Sequence, residues 1–277
     1  MSAGVVVVTG GASGFGLALA GEAAARGHDV AILDRSGAAE TAEALAAEHG
    51  AEVVGLGVDV SSADAVRAAA EAVDQRFGRC DVVISNVGVQ LFGSIERLTD
   101  AEWQWVLDVN VVGSARVARS FLPLLRRSPA GRLAFTTSSS VLDPASHMAA
   151  YQSSKFAVWG IAETLRLELA PDAITVTTIL PSGMVTRHLE TSADAQPEAI
   201  QRPIGVDDDF TRMLESNPGM AESLAMPEDI AGRTLDAIFA GQPYVITHGD
   251  LGAAIAARAD GLAAALPSTP TSPPRSG

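Results

Sequence analysis

The chain has 277 residues, 47% of them hydrophobic, and a formal net charge of −14. That acidic balance excludes nucleic acid as a natural partner, because no basic face opposes the phosphates, and no apolar run reaches the length of a membrane span. The one cysteine, Cys80, excludes an internal disulfide and, with no secretory signal visible at the N-terminus, fits a cytoplasmic setting.

Gly4 to Thr9 is a continuous, β-branched run, the pattern of a strand buried on both faces. It leads into Thr9-Gly10-Gly11-Ala12-Ser13-Gly14-Phe15-Gly16 and an alanine-rich helix to about Arg26. A glycine turn at a helix N-terminus brings backbone N–H groups up to a pyrophosphate. Thr9, Gly10, Ser13, Gly14, Phe15 and Gly16 are therefore the expected cofactor contacts; the bland alternative is a βα turn with no ligand. Asp29 to Asp34 is the second strand. A carboxylate at its end accepts from both adenosine ribose hydroxyls and repels a 2′-phosphate, so Asp34 favours NAD over NADP. Arg35, next to it, could instead contact that phosphate.

A third strand, Glu52 to Val58, ends at Asp59-Val60, where Asp59 either accepts from the adenine amino group or caps the helix starting near Ser61. Asp81 to Ser85 is the fourth strand and leads into Asn86-Val87-Gly88. Thr99 to Arg127 reads as one helix opened by a cap at Thr99, with Asn110 at a mid-helix position where an amide needs a polar task. Arg132 to Thr137, Ile174 to Leu180 and Tyr244 to Thr247 are the remaining strands, and a helix from Ala149 to Ala170 separates the first two of these. The alternation predicts an α/β, Rossmann-type doubly wound parallel sheet with helices on both faces, a three-layer α/β/α sandwich. Residues 1–266 would form one NAD(P)-binding domain, and the Pro/Ser/Thr-rich tail 267–277 is expected to be disordered. Ligands of such sheets sit outside the strands' carboxyl ends. The glycine turn, Asp34, Asp59, Asn86, Ser138 and Pro181 all fall there, with Val60, Gly88 and Gly183 as further candidate cofactor contacts.

Tyr151 and Lys155 are four apart, so a helix stacks them on one face. Lys155 is the only lysine in the chain and Tyr151 one of two tyrosines, which makes an incidental pairing a poor explanation. An ammonium beside a phenol favours the phenolate and lowers its pKa toward working pH. A phenol so tuned serves as general base toward an alcohol or general acid toward a ketone. Ser138, thirteen residues upstream at a strand end, could hold the substrate oxygen; Ser139 is its rival.

On these motifs the chain resembles the short-chain dehydrogenase/reductase family, in its shorter single-domain branch. The resemblance runs from about Val5 to Thr186. It implies that Thr9-Gly10 through Gly14 and Gly16 form the cofactor loop and Asp59 the adenine contact. It makes Asn110, Ser138, Tyr151 and Lys155 a catalytic tetrad, with Lys155 also on the nicotinamide ribose and the Asn110 region holding a relay water. Thr186 falls at the carboxamide contact. Ser85-Asn86-Val87-Gly88 departs from the family's Asn-Asn-Ala-Gly, and Pro181-Ser182-Gly183 from its Pro-Gly. The usual Asp-Gly-Gly ending is replaced by Tyr244 to His248 and an alanine-rich helix. The family is commonly oligomeric, so a homodimer or homotetramer is expected.

Leu91, Phe92, Leu142, Met148 and Met184, with the segment Arg187 to Leu224, should form the substrate pocket, that segment acting as a lid. Its acids Glu190, Asp207, Asp208 and Asp209 read as a solvated outer face; Asp143 and His147 either give the pocket a polar handle or, the favoured reading, are loop residues facing solvent. The substrate implied is a secondary alcohol or ketone with a sizeable apolar body, and no metal site is assigned. A non-catalytic NAD(P)-sensing protein and a sugar-nucleotide epimerase or dehydratase are the competing readings. The first would be favoured by loss of Tyr151 or Lys155, and both are present. The second calls for a larger C-terminal substrate domain.

Overall fold

A computed structural model describes residues 3–204, 208–216 and 224–267. Asp207 and the tail beyond Pro267 lie outside the described residues. The elements in chain order are β1 (Val5–Thr9), α1 (Gly14–Ala25), β2 (Asp29–Asp34), α2 (Ala38–His49), β3 (Val53–Gly57), α3 (Ala63–Phe77) and β4 (Val82–Ser85). Then come α4 (Asp100–Leu107), α5 (Gly113–Leu125), β5 (Arg132–Thr136), α6 (Ala149–Glu168) and β6 (Thr175–Leu180). The rest are α7 (His188–Asp194), α8 (Asp208–Glu215), α9 (Pro227–Phe239), β7 (Tyr244–Ile246) and α10 (Gly252–Ala264).

The strands form one parallel sheet in the order β3-β2-β1-β4-β5-β6-β7. Every residue of β1 is buried because the sheet is covered on both faces. Its side chains alternate: Val6 and Val8 pack with Leu19, Ala23 and Ile230 on the α1/α9 side. Val7 packs with Val66, Phe121 and Val158 on the α3/α5/α6 side. Chain order reverses between β1 and β4, so the crevice opens at the carboxyl ends of these two strands.

The expected helix from Thr99 to Arg127 begins as read, at a complete Thr99/Glu102 capping box. It is not uniformly α-helical, however. Asp108–Val112 is a π turn between α4 and α5, and Asn110 lies in it. One extra residue per turn re-aims side chains, and such π segments concentrate at functional sites. The stretch expected to be a lid loop also carries structure of its own, namely α7, a 3-10 turn at Glu198–Ile200 and α8. No helix among the described residues is long and apolar enough to cross a membrane.

Candidate active site

A cleft of about 1830 Å³ runs along the carboxyl ends of the strands. Gly10, Ser13, Gly14 and Phe15 border it as expected. Gly16 does not; it packs against the turn itself, where a Cβ would stand 2.0 Å from the Gly10 carbonyl oxygen. Thr9 is also withdrawn, and its Oγ1 accepts from the backbone N–H of Asn86 at 2.9 Å and of Val87 at 3.1 Å. Asn86 borders the cleft, but its side chain donates to the Thr9 carbonyl at 3.2 Å and accepts from Thr136 Oγ1 at 3.1 Å. Thr9 and Gly16 thus brace the β1 and β4 ends away from the cleft wall, while Asn86 stays on that wall with its side chain tied into the same brace. Thr9 and Gly16, read from sequence as cofactor contacts, are therefore corrected to supports of the turn.

Asp34 borders the cleft at the end of β2, with Oδ2 accepting from the Ala12 N–H at 3.0 Å. Arg35 borders it too, yet its guanidinium points to α7 and donates to the Asp194 carbonyl at 2.9 Å. Asp59 and Val60 line the same end. Asp59 closes a local turn by accepting from the Ser61 N–H at 2.8 Å, while Ser62 caps α3. Pro181, Gly183 and Thr186 line the wall beyond β6. A glycine turn free of side chains at the start of α1 and a carboxylate at the end of β2 fit a dinucleotide.

β5 delivers Ser138, the N-cap of a 3-10 turn, whose Oγ accepts from the Ser140 N–H at 3.1 Å. The Ser139 N–H donates to the Pro181 carbonyl at 2.7 Å, so the loops after β5 and β6 are tied together. Opposite, α6 presents Tyr151 and Lys155, which are 8% and 4% exposed. Lys155 Nζ sits 5.5 Å from the Tyr151 ring centroid and donates to the Thr136 carbonyl at 3.1 Å. Gly88 lets the backbone pass this ammonium, since a Cβ there would lie 3.0 Å from Nζ.

The protonation of this pair departs from expectation. Burial pushes the Tyr151 phenol up to about 12, and only the hydrogen bond with Ser138 pulls it back. Burial also pushes Lys155 down to about 8. Desolvation is the largest cause for both groups, because each ion would stand in a low-dielectric wall. His188, which sequence reasoning passed over, borders the cleft and is pushed down to about 4, by desolvation first and the Lys155 charge second. Nothing in its residue pattern marks it; only its fold position beside Lys155 does.

Asn110 is wholly enclosed. Its Oδ1 accepts from the Val89 N–H at 2.7 Å, and its Nδ2 donates to the Val89 carbonyl and Ser154 Oγ, each at 2.9 Å. Ser154 Oγ in turn donates to the Tyr151 carbonyl at 2.6 Å. This side chain pins the segment after β4 to the turn carrying Tyr151. Asn110→Ala would strand two buried backbone groups at Val89, so we expect a loss of about 2–4 kcal/mol in chemical denaturation. A loss within experimental error would show that the bracket is dispensable.

On the substrate side Phe92, Met148 and Met184 border the cleft. Leu91 does not, being fully enclosed in the cluster with Val106 and Ala150. Leu142 is not on the cleft wall either. Phe210, Met213 and Leu214 of α8 take their place, with the Phe210 ring 5.1 Å from that of Phe92. Asp209, read as solvated, is 1% exposed and pairs with Arg97 at 3.1 Å and, more loosely, His147 at 3.7 Å. Asp143 lines the cleft. Among the described residues no group of three or more His, Cys, Asp or Glu side chains is placed to hold a metal.

Residues 4–197 match the family model described as short chain dehydrogenase. A 3-dehydrosphinganine reductase of Arabidopsis thaliana is 32% identical over 240 residues, covering 84% of this chain and 68% of its own. A short chain dehydrogenase/reductase from Burkholderia phymatum, solved in complex with NAD, superposes with a TM-score of 0.84 at 28% identity, covering 98% of each chain. L-sorbose reductase from Gluconobacter frateurii, solved with NADPH and L-sorbose, gives 0.76 at 25% identity, covering 91% of this chain and 98% of its own. The chain belongs to the short-chain dehydrogenase/reductase family. It is an oxidoreductase of CH–OH and keto groups whose cofactor is NAD or NADP.

Proposed function

We propose that the protein interconverts a secondary alcohol and a ketone on a mid-sized, largely apolar substrate, with NAD as the preferred cofactor. The observation that carries this reading is the buried pair Tyr151 and Lys155 and the half-buried Ser138 bordering the cleft that the glycine turn also borders. The turn from Gly10 to Phe15 would hold the pyrophosphate, Asp34 the adenosine ribose, and Lys155 the nicotinamide ribose. When bound, the nicotinamide supplies or accepts the hydride. Tyr151 Oη passes the proton to or from the substrate oxygen, and Ser138 Oγ orients that oxygen by hydrogen bonding. Lys155, held by the Thr136 carbonyl, favours the phenolate once it is charged. Asn110 keeps Tyr151 in place through Ser154.

The apolar body is supported by Phe92, Met148, Met184, Phe210 and Met213 on the wall. Turnover confined to small polar polyols would contradict that assignment. We further propose a homodimer or homotetramer pairing through the outer faces of α5 and α6, where Ala118, Leu122, Gly160 and Leu165 line a shallow apolar hollow.

Fluorescence titration of the purified protein with NADH and NADPH tests the cofactor assignment before any substrate is known. Tighter binding of NADH is expected from Asp34, whose carboxylate repels a 2′-phosphate. Tighter NADPH binding would overturn Asp34 as the selector, and binding of neither would overturn the cleft as a cofactor site.

A further inference from the structure

We propose that Arg35 is a positioning residue that fastens the C-terminal end of α7 over the cofactor groove, so that one guanidinium links cofactor selection to the closing of the cleft. The last carbonyls of a helix have no partner within it, and a cation there is doubly favoured, by hydrogen bonding and by the helix dipole. Arg35 Nη2 donates to the Asp194 carbonyl at 2.9 Å, and Nη1 reaches the Ala195 carbonyl at a weak 3.4 Å. These contacts span 159 and 160 residues of sequence and cross the groove from the end of β2 to the far wall.

α7 depends on such ties. It has seven residues, too few to be stable alone, and Ser192 is its one buried side chain. Ser192 Oγ accepts from the Gln90 N–H at 3.0 Å and so anchors the middle of the helix to the segment after β4. Just before α7, the Thr186 side chain lies 3.4 Å from the position a Cβ of Gly14 would take. The helix is thus held to Gln90 in the middle and to Arg35 at its far end, while Thr186 before it leaves no more than van der Waals room beside Gly14. Its first residue, His188, borders the same cleft as Lys155, so freeing the far end loosens the wall facing the proposed proton-transfer groups.

The guanidinium has a second potential claimant. Arg35 adjoins Asp34, where a 2′-phosphate would arrive, and a fork turned toward that phosphate draws away from the helix carbonyls across the groove. A cofactor with that phosphate would therefore compete with α7 for the guanidinium, whereas NAD leaves the strap closed. This part rests on the proposed cofactor reading; the strap itself does not.

Hydrogen exchange followed by mass spectrometry on the cofactor-free full chain tests the strap. In Arg35→Ala the amides of 188–196 should exchange about five- to tenfold faster than in the parent, with the sheet strands unchanged. Arg35→Lys should recover part of the protection, because a compact ammonium still caps one carbonyl. Unchanged exchange at 188–196, or a uniform rise across the whole chain, would overturn the strap. A second arm uses Asp34→Asn, which removes the carboxylate's repulsion. NADPH bound to this variant should speed exchange at 188–196 relative to bound NADH. Equal protection by both cofactors would overturn the shared guanidinium. Because the first arm needs neither cofactor nor turnover, its failure is distinct from failure of the oxidoreductase reading.

Discussion

Replacing Tyr151 by Phe should lower turnover by about 10²–10⁴-fold, the usual worth of a positioned acid–base group, and leave NADH binding intact. Only the phenolic oxygen is removed. The ring stays packed in the cluster of Phe92, Met148 and Ala150, so the variant is expected to fold. The cofactor groove is untouched because the glycine turn, Asp34 and the Thr186 wall belong to other elements. Single-turnover rates and NADH titration on the same preparation separate the two effects. Full turnover in Tyr151→Phe would remove the tyrosine from the mechanism, and loss of NADH binding would give it a structural role instead.

Lys155→Met gives the second large effect, and its sign depends on pH. Burial takes the lysine from its usual 10.5 to about 8 in the folded chain. Between those values the unfolded chain binds more protons than the folded one, so stability rises with pH across this window. Below pH 8 the buried charge carries its full penalty, on the order of 3 kcal/mol. The stability of the parent relative to Lys155→Met should therefore climb from pH 8 toward 10.5 and flatten on either side. Tyr151, raised from 10 to about 12, acts in the opposite direction above pH 10 but is present in both proteins and largely cancels in the difference. Urea denaturation at closely spaced pH values measures this difference. A flat difference would mean that the ammonium is not desolvated as the structure shows. Turnover should fall at every pH, since methionine can neither stabilise a phenolate nor hold a ribose.

Much of the fold was legible because parallel strands are buried on both faces and read as unbroken apolar runs. Val5 to Thr9 and Asp29 to Asp34 are clear examples. The Tyr151/Lys155 pair was legible for a similar reason: a helix fixes which residues four apart share a face. Features set by long-range contact were hidden. The π turn at Asp108–Val112 leaves the apolar pattern of the helix almost unchanged, so only Asn110's odd position hinted at it. Leu91 and Phe92 are neighbours of similar character, yet only Phe92 borders the cleft, and nothing local distinguishes the two.

Charge was the most misleading signal. Asp209 looks like one acid among several on a solvated face, but α8 turns it inward against Arg97. Arg35 could face a phosphate or not by sequence, and in the structure its fork reaches α7. The Tyr151 phenol was expected to be lowered by its lysine, and desolvation raises it instead, because burial depth is not written in residue spacing. Thr9 and Asn86 sit where cofactor contacts belong, but their side chains brace the ends of β1 and β4.

The central claim is that hydride passes between the nicotinamide and a substrate carbon in this cleft. It is tested most directly by incubating the protein with NADH deuterated at the transferable position and a panel of apolar ketones, then examining the alcohols by mass spectrometry and NMR. One deuterium on the carbinol carbon of an apolar product, lost in Tyr151→Phe, is the predicted result. Alcohol formed without deuterium at that carbon, or no product from any ketone despite NADH binding, would contradict it.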